Sequence, residues 1–300
     1  LSVFCGSPSQ SDCQLSSFTR FQRTLRSSIS LDGVGLFTGE KVTLTLCPAP
    51  PHTGILFKRV DLASQPFLPA KLDYVRGTPR CTVIGHNDVC VQTVEHLLST
   101  LSAYQIDNLI IEIQGSEVPI CDGSSKCFVE LIEQVGVQEL EERCPIYRLT
   151  EPLFWSQGDI HLIALPSDEY RISYTLHYPH SSFLRAQYYS VQINEKNFKT
   201  EIAPSRTFSL YEEIAVLLEK GLLKGGSLEN AVIIRDDRVI NPEGVRFPEE
   251  MVRHKILDVI GDLSLIGHSF VAHIIAIRSG HASNNAFAKK LKNHLKLEYS

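Results

Sequence analysis

One helix-length segment constrains this chain more than any other. In RHKILDVIGDLSLIG, residues 253–267, Ile256, Leu257, Val259, Ile260, Leu263, Leu265 and Ile266 make most of the circumference apolar. A helix of that kind is buried. Yet His254, Asp258 and Asp262 stand at i, i+4 and i+8 in it. Successive four-residue steps drift only about 40° around the axis, so all three line one face. Buried carboxylates are costly unless they are paired or bound to a metal. The spacing lets two side chains hold one ion. Taken alone, the plainer reading is a hydrogen-bonded His–Asp pair with no metal.

Composition sets the frame for such a helix. At 300 residues with 43% apolar and 21% charged positions, the chain can bury a large core or two of ordinary size. A net charge of -5 excludes a basic, nucleic-acid-binding footprint across the whole chain. The most hydrophobic run, 270–277, contains His273 and falls well short of the roughly 18 apolar residues a spanning helix needs. The eight cysteines form no C-x-x-C and are expected to be reduced thiols, mostly buried.

The first residues, LSVFCGSPSQSDCQLSS, are Ser-rich and aperiodic. They read as a disordered tail over 1–17, with an organellar transit remnant as the alternative. Folded structure is expected from Phe18. Val42, Leu44 and Leu46 alternate with Thr43 and Thr45, the period of a half-buried strand. Strands are also expected in GILFKRV, CTVIG and LIIEIQ. Between the last two, 91–104 reads as an amphipathic helix on Val94, Leu97, Leu98 and Leu101. Asp122-Gly123-Ser124 is expected to start a helix through 135. Polar 138–143 and Pro145 read as a boundary, giving domains 18–143 and 144–300. After it come strands at about 146–155, 160–165 and 170–177, a helix over 210–220 and a strand at 231–234. A helix over 249–266, a strand over 270–278 and a helix over 283–295 complete the chain. Each half thus runs strands, helix, strand, helix, compatible with two related α+β domains.

Three other places carry candidate chemistry. In VQTVEHLLSTL, Glu95 and His96 project away from the apolar stripe. Solvent exposure is the plain reading, but a His ligand beside a carboxylate base is also what metal-assisted hydrolysis requires. His281, in SGHASNN, lies in a loop after an apolar strand, a common place for catalytic side chains as well as structural ones. Thr207, in SRTF, caps a helix on the default reading and could otherwise donate to an oxyanion. GLLKGGSLEN is no P-loop, and LDGVGLFTG is followed by strand rather than helix, so neither standard nucleotide motif is present.

Taken together these segments resemble the zinc-dependent UDP-3-O-acyl-N-acetylglucosamine deacetylases of lipid A biosynthesis. The resemblance runs through SLDGVGLFTGE, TVEHLLSTLSAYQIDN, EVPICDGSS, SRTF, GGSLENAV, RHKILDVIGDLSLIG and SGHASNN, in that order, from about Thr24 to Leu291. It implies two α+β domains, each a β-sheet with paired helices, the helices packed between the two sheets. It implies a zinc ion (Zn2+) on His96, His254 and Asp258. Glu95 would be the general base and His281 the cationic partner, with Asp262 orienting His281. Thr207 would be the hydroxyl donor, and Lys255 and Phe208 substrate contacts. The substrate would be a small molecule, an acylated UDP-amino sugar, whose chain needs an apolar channel; Cys81 and Val83 are candidates for its walls by position. A monomer without stable membrane insertion and without a nucleic-acid partner is expected. Its location would be the cytoplasm, or an organelle if the N-terminus is a transit remnant. The competing readings are a catalytically silent relative that only binds, and a hydrolase of the same fold with another amide substrate.

Overall fold

The computed structural model describes residues 18–295; the expected tail over 1–17 lies outside the described residues. Two five-stranded sheets dominate it. The first runs, in spatial order, Ile29–Val34, Lys41–Pro48, Leu109–Gln114, Ile55–Arg59, Phe67–Pro69. The second runs Leu153–Gln157, Ile160–Leu165, His273–Ile277, Arg171–Tyr178, Arg185–Gln192. In both, the last strand in sequence sits in the middle, antiparallel to one neighbour and parallel to the other. Both edge pairs are antiparallel. Each central strand is preceded by one helix and followed by another: Glu95–Ala103 and Lys126–Val135 in the first half, Glu250–Ser264 and His281–His294 in the second. The two halves therefore repeat one α+β plan.

Alternation places the core. Val42, Leu44 and Leu46, then Leu109, Ile111 and Ile113, turn inward from the first sheet. Ile172, Tyr174 and Leu176, with Ile274 and Ala276, do so from the second. The helices meet between these faces, with Glu95–Ala103 packed along Glu250–Ser264 and the latter also against Arg171–Tyr178. Burying both faces of Glu250–Ser264 is what its apolar circumference demands.

Several expectations need correction. Residues 138–143 are part of a strand, Val137–Arg148, so the expected domain boundary falls inside a continuous element. That strand pairs antiparallel with Phe18–Leu25 and parallel with Ser269–Val271. None of its residues is fully buried, so its polar residues show no inward alternation. The strand expected over 270–278 breaks at buried Ala272 and serves two sheets, Ser269–Val271 beside Val137–Arg148 and His273–Ile277 at the centre of the second sheet. The helix expected from 91 begins at Glu95, because Val89–Gln92 pairs with Val83–His86. The helix expected from 122 begins at Lys126, because the Asp122 carboxylate accepts from the Ser124 N–H and hydroxyl and holds a turn there. Cys121 and Cys127 form a disulfide rather than free thiols, the positive φ of Cys121 (52°) turning the loop back on itself.

Candidate metal centre and catalytic site

The two long-range partners meet where Glu95–Ala103 crosses Glu250–Ser264. A Cβ on Gly261 would lie 2.2 Å from the Glu95 carbonyl oxygen, so the helices touch backbone to backbone. This contact buries Glu95 and His96, which the single-helix pattern assigned to the face away from the apolar stripe. The stripe of Val94, Leu97, Leu98 and Leu101 is buried as well, so this helix has no wet face at its start.

His96, His254 and Asp258 converge there, with one ligand atom from each lying within 4.8 Å of the others. The His96 and His254 rings stand edge to face with centroids 5.0 Å apart. The Asp258 Oδ1 atom is 3.9 Å from His96 Nε2 and 3.5 Å from His254 Nε2. Both distances exceed good hydrogen-bond length, which argues against a plain His–Asp pair and suits a shared ion. His254 Nδ1 donates to the Ser205 carbonyl at 3.0 Å, which leaves Nε2 with its lone pair facing the cluster. Burial, and then the neighbouring His254 ring, pull His96 down to about 3. Burial also lowers His254, against the opposing pull of Asp258. Both imidazoles are thus neutral, the form that binds metal. Burial disfavours the Asp258 charge, but the Lys255 ammonium at 2.6 Å and the imidazoles outweigh it and hold the carboxyl well below its usual range. Two neutral imidazoles and a carboxylate are a donor set that zinc accepts, and three protein ligands are the count of a catalytic rather than a closed site.

Beside this cluster sits an acid–base pair. Glu95 Oε1 lies 3.7 Å from His281 Nε2, and His281 Nδ1 lies 2.9 Å from Asp262 Oδ2. Burial pushes Glu95 up to about 7; His281 opposes this, and Asp262 and Asp258 add to it. Burial works against a charge on His281, but Asp262, Glu95 and Asp258 override it and raise the imidazole to about 9. His281 is the first residue of its helix, not a loop residue as expected. Fully buried Asp262 also accepts from the Asn284 amide at 2.8 Å.

A cavity of about 670 Å3 opens over both groups. Glu95, His96, His254, Lys255, Asp258 and His281 line its polar end, and Thr207 and Phe208 also line it. Asp262 stands behind His281, outside the lining. Leu36, Phe37, Ile214, Leu217 and Ile233 give it an apolar wall, with Arg80 and Glu213 also in the lining. Cys81 lines the cavity and Val83 does not. Thr207 caps no helix: its N–H donates to Gly123 and its carbonyl accepts from Val232, just before the strand Phe208–Leu210.

The model of one protein family, "LpxC: UDP-3-O-acyl N-acetylglycosamine deacetylase", matches residues 22–293. The chain belongs to this family. It is similar to the UDP-3-O-acyl-N-acetylglucosamine deacetylase of Chlamydia pneumoniae, 51% identical over 93% of this chain and 99% of that one. It is similar also to that of Chlamydia muridarum, 50% identical over 93% of this chain and 97% of the relative. Among the described residues no helix is long and apolar enough to cross a membrane.

Within this family member, the support beneath the site was the part least visible in the sequence. Arg206 and Glu250 are both buried and joined, Arg206 Nε donating to Glu250 Oε1 at 2.9 Å. The same oxygen accepts from the Arg206 N–H at 3.0 Å, and Glu243 and the Gly244 carbonyl take the outer guanidinium nitrogens. The clamp fixes the segment that supplies the Ser205 carbonyl to His254 and the Thr207 hydroxyl to the cavity. SRTF signalled the arginine, but nothing local links it to Glu250, forty-four positions on. Thr82, which touches both Glu95 and Asp262, sits in no recognisable motif.

Proposed function

We propose that the chain hydrolyses the N-acetyl group of UDP-3-O-(3-hydroxyacyl)-N-acetylglucosamine, giving acetate and the free amine. This is the family's reaction, the committed step of lipid A biosynthesis. One observation carries the assignment to these residues. A ligand from the first half, His96, meets His254 and Asp258 from the second at the end of a cavity that also holds a base and an acid.

The chemistry needs an activated water, a stabilised oxyanion and a proton for the departing nitrogen. Zinc held by His96, His254 and Asp258 would supply Lewis acidity, acidifying water and polarising the acetyl carbonyl. Glu95 takes the proton from the attacking water as its oxygen bonds to the carbonyl carbon. A carboxylate raised to about 7 is matched to that task near neutral pH. His281, held cationic by Asp262, faces the developing negative charge and then gives its Nε2 proton to the nitrogen as the C–N bond breaks. Thr207 adds a hydroxyl donor to the oxyanion. Lys255 and Phe208 contact the substrate, and the apolar wall takes the acyl chain. The reading includes a monomer acting in the cytoplasm on a small molecule, its two halves joined through the strand Val137–Arg148.

Incubation with UDP-3-O-(3-hydroxyacyl)-N-acetylglucosamine, followed by mass spectrometry, tests it. Loss of one acetyl group with free acetate is expected. An unchanged mass would point to a silent relative, or to another amide substrate if a panel of acylated amino sugars is cleaved instead.

A further inference from the structure

We propose that Thr82 is a positioning residue that ties the catalytic base and the carboxylate behind the catalytic acid into one closed ring. This rests on the roles just given to Glu95, His281 and Asp262.

Thr82 is fully buried, just before the strand Val83–His86. Its N–H donates to Glu95 Oε2 at 3.0 Å, and its hydroxyl donates to Asp262 Oδ1 at 2.5 Å. Each carboxylate thus gives one oxygen to Thr82 and turns the other to His281, Asp262 Oδ2 at 2.9 Å and Glu95 Oε1 at 3.7 Å. The circuit runs through four residues from four separate segments, by three hydrogen bonds, one of them from the Thr82 backbone N–H, and an ion-pair contact of 3.7 Å between His281 and Glu95. It has two consequences.

First, the ring decides which oxygen of Glu95 does the work. With Oε2 engaged by a backbone donor, Oε1 is the atom on the His281 side and the one that receives the proton. Second, the ring spans the two halves of the chain. Thr82 and Glu95 belong to the first, Asp262 and His281 to the second. A bare carboxylate could swing about its terminal torsion, whereas Asp262, hydrogen-bonded on both oxygens, cannot. Besides Thr82, Asp262 Oδ1 has, among the described residues, only the Asn285 amide, at 3.5 Å. The hydroxyl is therefore the short, strong member of that pair, a bond to a charged group. Losing it leaves Oδ1 with that long bond alone, so the carboxylate that orients His281 is held chiefly through Oδ2, by His281 and the Asn284 amide.

Steady-state kinetics on the zinc-loaded protein with the acylated UDP-amino sugar test this. Thr82→Val removes the hydroxyl at nearly constant volume. It should lower kcat by about ten- to a hundredfold, the range for losing a hydrogen bond to a charged group, with KM and zinc content unchanged. Thr82→Ser keeps the hydroxyl and should recover kcat to within about threefold of wild type. Thr82→Ala carries the same test if the valine variant does not fold. A wild-type kcat in Thr82→Val, or a Thr82→Ser protein as slow as Thr82→Val, overturns the proposal. Glu95→Gln runs alongside. If that variant retains full activity, the underlying role of Glu95 fails. If it is inactive while Thr82→Val is not, only the positioning role fails.

Discussion

Gly261→Ala would separate the two helices that carry the site. The added Cβ would fall 2.2 Å from the Glu95 carbonyl oxygen, 2.8 Å from its carbon and 2.9 Å from Cα. All three are backbone atoms, so no side-chain rotation relieves the clash. Ordinary contact needs roughly 3.5 Å between such atoms, so the helices must part by about 1 Å. One of them bears Glu95 and His96, and the other bears His254, Asp258 and Asp262. The displacement therefore enters the distances between base, ligands and acid. A misplacement of about 1 Å costs on the order of a hundredfold in rate. Stability changes less: overpacking costs about 1–3 kcal/mol, offset by up to about 1 kcal/mol from the better helix propensity of alanine. Deacetylation rate, zinc content and thermal unfolding should be read on the same sample. We expect a large fall in kcat with a modest fall in Tm. A variant within about threefold of wild-type kcat would refute the claim that this crossing sets the catalytic geometry.

Other outcomes follow from the same site. On the roles proposed for them, the rate requires Glu95 ionised and His281 protonated. It should rise as pH passes the Glu95 value near 7, fall past the His281 value near 9, and have its lower limb drawn further down by a bound cation. A kcat/KM profile that falls steadily across that window contradicts the assignment. Thr207→Val should lower kcat by roughly a hundred- to a thousandfold if its hydroxyl faces the oxyanion, with KM nearly constant in initial-rate assays. Glu250→Ala removes the buried partner of the Arg206 guanidinium, leaving it to Glu243 and the Gly244 carbonyl, and should cost up to about 3–5 kcal/mol in denaturant unfolding. A loss below 1 kcal/mol or so would show that the clamp is not structural.

What the sequence revealed depended on the range of the interaction involved. His254, Asp258 and Asp262 were legible because a helix repeats within a few residues, and a buried helix with three polar groups on one face has few explanations. Alternating strands such as 42–46 were legible for the same local reason. Glu95 and His96 were placed on a wet face because periodicity describes one helix and cannot show the second one crossing at Gly261. Residues 138–143 were read as a domain boundary because a strand with no fully buried residue has no inward set to reveal it. The matching topology of the two sheets is absent from residue identity, since many different apolar residues satisfy the same inward positions. Thr82 and Glu250 went unnoticed because their partners lie up to 180 positions away, joined only when the halves meet.

The central claim is that His96 and the His254–Asp258 pair, brought from two distant segments, grip the same divalent cation. Elemental analysis of the purified chain beside His96→Ala measures this without reference to catalysis. The account requires about one zinc per wild-type chain and near none in the variant. Full stoichiometric zinc in His96→Ala, or a wild-type chain that stays active with its metal stripped by chelation, would contradict it.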